Sequence, residues 1–291
     1  IPFIARYRKE MTGGIDDQLL REFNDRLIYL RNLEKRKEEV AAAIEEQGKM
    51  TDEIRAALDA AATLTEVEDI YRPYKQKKKT RASVAIERGL QPLADFLLAQ
   101  DKNADVYAEA AKYVDEEKGV MTADDALAGA KDIIAEIVSD DANVRKKLRN
   151  LFLKNGEMVT RLVDAEKEGA KTYEMYADYS EPVGEIKSHR VLAVNRGEKE
   201  GFLKVKVAVN EDIAKRIAGA GYIKDGGEST RLVREAVDDG CTRLLFPSVE
   251  REIRATLTEA ASEQAIKMFE VNLRPLLMQP PIKDKITLGL D

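Results

Sequence analysis

The sequence predicts a mainly α, multi-helical fold with a small β element around residues 157–210 and a long C-terminal helix. Three observations carry this expectation. Apolar residues recur at steps of three, four and seven over long windows near both ends of the chain, which is the period of a one-sided helix. Charged residues make up 35% of the 291 residues, above the roughly one quarter usual in globular domains, and Ala, Glu, Lys, Leu and Arg dominate. Between these windows the texture changes to alternation, the period of a half-buried strand.

From Asp16 to Gln47 the residues Leu19, Leu20, Phe23, Leu27, Leu30, Leu33, Val40 and Ile44 form one stripe. Asp16 and Asp17 suit the start of this helix and Gly48 its stop. Lys37 occupies the next seam position after Leu30 and Leu33, which argues against a strict coiled coil. A short helix is expected at 52–62. Thr65 with Glu68 has capping-box spacing, and the helix it starts must end near Tyr71 because Pro73 disfavours helical geometry at Arg72. A basic loop spans 75–81. Helices follow at 82–88, 92–100 and 104–115, with Pro92 suited to a first turn.

Thr122 with Asp125 opens a helix to about Val138, and Asp140 or Asp141 caps another that stops at Asn155-Gly156. Residues 157–163 and 202–209 alternate as strands do. The intervening 188–201 read as a short helix capped by Ser188, and 219–227 as a Gly-rich loop. Ser248 is expected to cap the final helix, which runs to about Leu277 before Pro280-Pro281. Its stripe, Ile253, Leu257, Ala261, Ala265, Met268 and Leu273, needs an apolar partner, and the N-terminal helices are expected to supply it.

Composition bounds the function. The net charge of −6 gives no global attraction for nucleic acid, so any such binding must come from local patches. Cys241 is the single cysteine, which excludes an internal disulfide and suggests a reducing compartment and a buried, inert thiol. No apolar run approaches the roughly 20 residues of a membrane span, and no signal peptide is evident. The chain opens on Ile1 and is expected to be an excised piece.

Two basic clusters stand out. Between Tyr71 and Leu90, seven cations (Arg72, Lys75, Lys77, Lys78, Lys79, Arg81, Arg88) face one acid, Glu87. Such density suits phosphate contact with release of counterions, and Tyr71 and Tyr74 stand ready to stack on bases. The plainer alternative is a solvated loop or one packed on acidic neighbours. The second cluster is Arg145, Lys146, Lys147, Arg149 and Lys154, on the second of two helices joined by a short turn, 139–143. That arrangement is compatible with a helix-turn-helix whose second helix enters a groove, although paired helices are common in α proteins. Arg6, Arg8 and Lys9, around Tyr7, read as carboxylate partners at the entry to the long helix.

Catalytic constellations are lacking. His189 is the single histidine and, with Cys241 far away, cannot fill a zinc site. Neither Ser188 nor Cys241 has a recognisable nucleophile setting. The glycines of 195–201 and 218–227 fit neither nucleotide-binding spacing.

Four segments in order, PFIARYRKEMTGGIDD (2–17), YRPYKQKKKTRASVA (71–85), EGAKTYEMYADYSEPVGEIKSHRVLAVNRGEKEGFLKV (168–205) and LLFPSVEREIRATLTEAASEQAIKMFEVNLRPLLMQPP (244–281), lead into TLGLD (287–291). Together they resemble the Tex transcription accessory proteins over essentially the whole chain. The resemblance implies a longer protein that continues into an RNase H-like domain, helix-hairpin-helix modules and a C-terminal OB-fold that carries most of the nucleic-acid affinity. It also implies that Asp291 matches a first-strand carboxylate of the RNase H-like fold, without a catalytic role in this chain. The expected organisation is therefore an N-terminal helical region (1–156) with a helix-turn-helix, a mixed α/β element (157–240), a long helix packing back on the core (241–285) and the opening of an RNase H-like domain (286–291). The expected protein is cytoplasmic and is a scaffold without an enzymatic activity, cofactor, metal or small-molecule substrate. Its expected partners are RNA or DNA, mainly through domains beyond this sequence, and the transcription machinery. A protein-docking scaffold with no nucleic-acid contact of its own is the alternative.

Overall fold

The computed structural model describes residues 1–75, 79–224, 226–280 and Leu288. The chain forms two compact units, Ile1–Lys146 with Gly219–Gly240, and Lys147–Ala218 with Cys241–Asp291. The stretch 219–240 belongs to the first unit.

The first unit opens with α1 (Pro2–Tyr7) and a 3₁₀ turn at Lys9–Thr12, then α2 (Asp17–Glu46), thirty residues long. The Asp16 carboxylate accepts from the Leu19 N–H at 2.8 Å and satisfies one orphan donor of that helix. Short helices α3 (Asp52–Ala60) and α4 (Leu64–Tyr71) pack on α2. Leu33, Val40, Ile44, Leu58, Ala61 and Val67 form their shared core, edged by Tyr71 and Tyr74. The stripe of α2 is thus used only in its C-terminal half; Leu19 and Phe23 are 51% and 65% exposed. The cap of α4 is Thr63, which accepts from the Glu66 N–H, and not Thr65. Glu66 itself accepts from the Ala62 N–H, so the same side-chain logic operates two residues earlier than the spacing suggests.

A second layer of this unit comprises α5 (Arg81–Glu87), α6 (Gln91–Ala99), α7 (Val106–Ala111) and α8 (Ala123–Asp140). Helix α8 lies at its centre, against α5, α6, α7 and also α12 (Glu228–Asp239). Its small and branched residues Ala126, Ala130, Ile133, Ile134, Ala135 and Val138 are buried. Thr122 and Asp125 form the expected capping box reciprocally. Helix α9 (Ala142–Asn155) follows, with Asp141 accepting from the Asn143 and Val144 N–H groups.

The second unit contains a three-stranded antiparallel sheet in the order β2-β1-β3: β1 (Glu157–Leu162), β2 (Asp178–Pro182) and β3 (Leu203–Ala208). Strands β1 and β3 match the alternating stretches. Strand β2 lies inside the resemblance segment but has no sequence signal of its own, because a five-residue edge strand ending in Pro shows little alternation. Met158, Leu203, Val205 and Val207 face inward, where β3 meets α10 (Ser188–Lys199) and α13 (Phe246–Leu277). Helices α10 and α13 pack on each other within the second unit. Helix α11 is Glu211–Gly219. Neither α11 nor α12 was expected from the sequence, although both have a well-defined apolar face.

Two helix starts differ from expectation. Ser188 donates its hydroxyl to Gln264 and does not cap α10. A π segment, Gly240–Leu245, precedes α13, so Ser248 sits inside the helix and bonds Glu252 at 3.4 Å. Pro275 lies inside α13, within its last turn. Among the described residues no helix is long and apolar enough to cross a membrane.

Candidate nucleic-acid interface

The two basic clusters of the sequence meet different fates. In the second, on α9, the turn that joins α8 to α9 is tied down by charge. Arg145 is 0% exposed; its Nε donates to Asp69 Oδ1 at 3.0 Å and its Nη1 reaches the Ser139 carbonyl at 3.4 Å. Asp69 is itself buried on α4. A guanidinium in that position cannot reach a phosphate, so Arg145 leaves the candidate interface. Burying the pair is tolerable because each charge is matched and hydrogen-bonded.

The rest of this cluster is mostly spoken for. Lys146 Nζ pairs with Glu66 at 2.8 Å, and that hydrogen bond, with the one from Ala62 N–H, holds the Glu66 carboxyl below the ordinary glutamate value. Arg149 Nη2 pairs with Glu252 at 3.0 Å in the second unit. Lys147 and Lys154 are exposed and make no ion pair among the described residues. The groove-reading helix expected from 145–149 therefore lacks the free cations it would need at three of its four basic positions.

Nearby, Arg72 Nε donates to Asp140 Oδ1 at 3.0 Å, and the Tyr222 hydroxyl donates to Asp141 at 2.7 Å. Burial, reinforced by the Asp141 carboxylate, pushes the Tyr222 hydroxyl well above its usual range. Tyr74 gives its carbonyl to Gln47 and its ring to the core beside α2, and Tyr71 lies under the Arg36 guanidinium at 5.5 Å. Arg72, Tyr71 and Tyr74 thus each have a partner within the first unit.

The remainder of the first cluster is open. Lys75, Lys79, Arg81 and Arg88 are exposed and make no ion pair among the described residues. Lys77 and Lys78 lie outside the described residues. Lys79, Arg81 and Arg88 converge on a cleft of about 590 Å³ between α5 and α8, whose far wall includes Gly119, Asp125 and Asp132. Two glycines set its shape. At Gly129 an added Cβ would run into Leu90 Cδ1 and lie 3.3 Å from Ala85 Cβ, so glycine lets α5 approach α8. At Gly119, with φ +73°, an added Cβ would lie 3.4 Å from Arg88 Nη2. The sequence holds Arg88 seven residues beyond Arg81; the two turns of α5 bring both to one opening. Asp125 is engaged in the α8 cap, and Asp132 is the other carboxylate on the cleft wall, so three cations share the opening with two acids.

Among the other expected residues, His189 is exposed in the first turn of α10, and Cys241 is buried. Asp291 lies outside the described residues. Among the described residues no group of three or more His, Cys, Asp or Glu is placed to hold a metal ion. Arg6 lies 5.7 Å from the Tyr7 ring, and neither Arg6 nor Arg8 makes an ion pair among the described residues, so the carboxylate partners expected for them are not seen.

Comparison with known proteins adds to this geometry. Residues 101–269 match the Tex central region-like family, and residues 1–45 match the Tex-like protein N-terminal domain. Uncharacterized protein YdcI of Bacillus subtilis (strain 168) is 45% identical over 293 residues, covering 100% of this chain and 41% of that protein. The transcriptional accessory protein Tex of Neisseria gonorrhoeae is 41% identical over 300 residues, covering 100% of this chain and 39% of that protein. S1 RNA-binding domain-containing protein 1 of Homo sapiens is 30% identical over 307 residues, covering 100% of this chain and 30% of that protein. The chain therefore spans about two fifths of the length of the bacterial relatives.

Proposed function

The chain belongs to the Tex family, and from that premise we propose that it is a helical scaffold of a transcription accessory protein that contributes sequence-independent phosphate contacts at the cleft beside α5. The observation that carries the reading is the convergence of Lys79, Arg81 and Arg88, exposed and without ion-pair partners among the described residues, on one opening. Each phosphate neutralised there releases counterions, so binding falls steeply with salt. No base-reading pattern accompanies the cations, and no catalytic group is needed for this role. The names of the relatives, one a transcriptional accessory protein and one containing an S1 RNA-binding domain, agree with a nucleic-acid partner.

Fluorescence anisotropy of labelled single-stranded RNA, single-stranded DNA and duplex DNA, at about 50 and about 200 mM salt, tests the reading. The expected result is salt-sensitive binding that weakens in the Lys79→Gln/Arg81→Gln/Arg88→Gln variant. Binding unchanged by the triple substitution would refute it.

A second reading, docking on the transcription machinery, is favoured by a separate observation. The N-terminal half of α2 and the preceding segment expose five large apolar side chains, Phe3, Tyr7, Met11, Leu19 and Phe23, within 21 residues of one another in sequence. It predicts a protein partner that survives nuclease treatment and is lost in Leu19→Ser/Phe23→Ser.

A further inference from the structure

We propose that the solvent face of the three-stranded sheet in the second unit is a separate contact surface for the phosphate backbone of a single-stranded nucleic acid. The inner face of the sheet is closed by its own core. Thr160 is buried and gives its hydroxyl to the Tyr176 carbonyl at 2.5 Å, while Met158, Val205 and Val207 are buried beside it. Alternation then forces the intervening residues outward. Those residues are Arg161 on β1 and Lys204 and Lys206 on β3, all exposed.

Their register is the telling feature. Arg161 stands directly opposite Lys204, and Lys206 stands opposite Val159. Like charges directly opposite each other on an antiparallel pair are destabilising, with Cβ atoms about 5 Å apart. None of the three makes an ion pair among the described residues. The acids on the same face answer them only in part: Asp178 lies opposite Arg161 on the outer strand without an ion pair to it among the described residues, and Glu157 accepts the Ser180 hydroxyl at 2.7 Å. The face therefore carries three cations in register with Asp178 as the one acid beside Arg161, an excess of positive charge that an external polyanion neutralises.

Geometry favours an extended strand as that polyanion. Lys204 and Lys206 are two residues apart on one strand, so they lie about 6.7 Å from each other, a spacing comparable to successive phosphates of an extended chain. Arg161 adds a forked donor set suited to one phosphate. The face carries no aromatic ring for base stacking, and its apolar side chains, Val159, Pro182 and Ala208, are small. Recognition is therefore of the backbone and independent of sequence. An acidic protein segment would need pockets for its other side chains, and this flat face supplies none.

The test uses the full chain and a labelled single-stranded oligonucleotide, comparing the unaltered protein with Arg161→Gln/Lys204→Gln/Lys206→Gln at about 50 and about 200 mM salt. Removing three phosphate-binding cations should lower the slope of log affinity against log salt by about 2, with affinity at the lower salt falling about tenfold or more. The neutralised protein should melt close to the original, because the like-charge neighbour Lys204 and the opposite-charge neighbour Asp178 of Arg161 lose their effect together. The single variant Lys206→Glu, which leaves Arg161 and Lys204 in place, should lower affinity as well and guards against a folding failure of the triple variant. The cleft variant at 79, 81 and 88 is measured in parallel, so loss in one variant and not the other separates the two surfaces. An unchanged slope and affinity in both sheet variants overturns the proposal, as does absence of measurable binding by the unaltered chain at the lower salt. Displacement of the oligonucleotide by polyglutamate at equal charge concentration would also overturn it in favour of an acidic protein.

Discussion

The stretch from Tyr71 to Leu90 and the stretch from Arg145 to Lys154 carry similar runs of cations, yet the fold treats them in opposite ways. In the later stretch, acids far away in sequence have been recruited: Asp69 lies 76 residues from Arg145, and Glu252 lies 103 residues from Arg149. The cations there fix the turn between α8 and α9 and anchor α9. In the earlier stretch, Lys79, Arg81 and Arg88 gather around a cleft and find no ion-pair partner among the described residues. Local charge density thus says how many cations a segment holds. It does not say which acids will reach them, and only that decides whether they serve stability or remain available to a ligand.

The largest effect that would test this contrast is on stability. Arg145→Ala strands the buried Asp69 carboxylate and should cost about 3–5 kcal/mol in denaturant unfolding. The double variant Asp69→Leu/Arg145→Met should recover much of that loss, since replacing both charges by apolar groups removes the desolvation penalty. If Arg145→Ala unfolded at the original midpoint but had weaker nucleic-acid affinity, the assignment of the two clusters would be reversed.

Next comes binding. Substituting Lys79, Arg81 and Arg88 by Gln should lower affinity for single strands about tenfold near 50 mM salt and reduce the salt slope by about 2. The melting temperature should barely move, because no described ion pair is removed. Replacing Lys147 and Lys154 by Gln sharpens the comparison: they are the exposed remainder of the α9 cluster and should reduce the slope by no more than about 1.4.

A smaller effect is expected at Arg149. Its partner Glu252 is partly solvated, so Arg149→Gln should cost about 1 kcal/mol in stability, without a change in the salt dependence of binding.

The smallest effect is a pH dependence. Glu66 has its folded-state value depressed by Lys146, so the pair contributes stability that is present above the ordinary glutamate value and lost as the pH falls through the lower folded value. Lys146→Ala should therefore move the Glu66 carboxyl upward in an NMR titration and flatten the acid limb of the stability profile slightly. A Glu66 titration identical in both proteins would mean that the pair does not form in solution.

Much of the fold was legible because its causes are local. The three-and-four spacing from Leu19 to Ile44 announces α2, Thr122 with Asp125 announces the start of α8, and the alternation of 203–208 announces β3. The misses have other causes. Strand β2 exists because β1 offers it an edge, Ser188 found a distant partner in Gln264, and the π segment Gly240–Leu245 running into α13 leaves Ser248 inside the helix. In the candidate interface the tract 75–81 and Arg88 were legible as charge. The removal of Arg145 from it was not, because the sequence does not reveal that Asp69 lies buried within reach.

The sequence by itself determined the helical class, the placement of the small β element and the two basic clusters, since periodicity, turn residues and charge are written in neighbouring positions; the resemblance to the Tex family rested instead on four long segments in order. Tertiary structure alone decided which cations are paired, which half of the α2 stripe is buried, and that Arg161 and Lys204 face each other across a ladder. Those outcomes depend on contacts between residues tens to a hundred positions apart. Desolvation sets their value, and it acts only once the chain has chosen what lies beside each group.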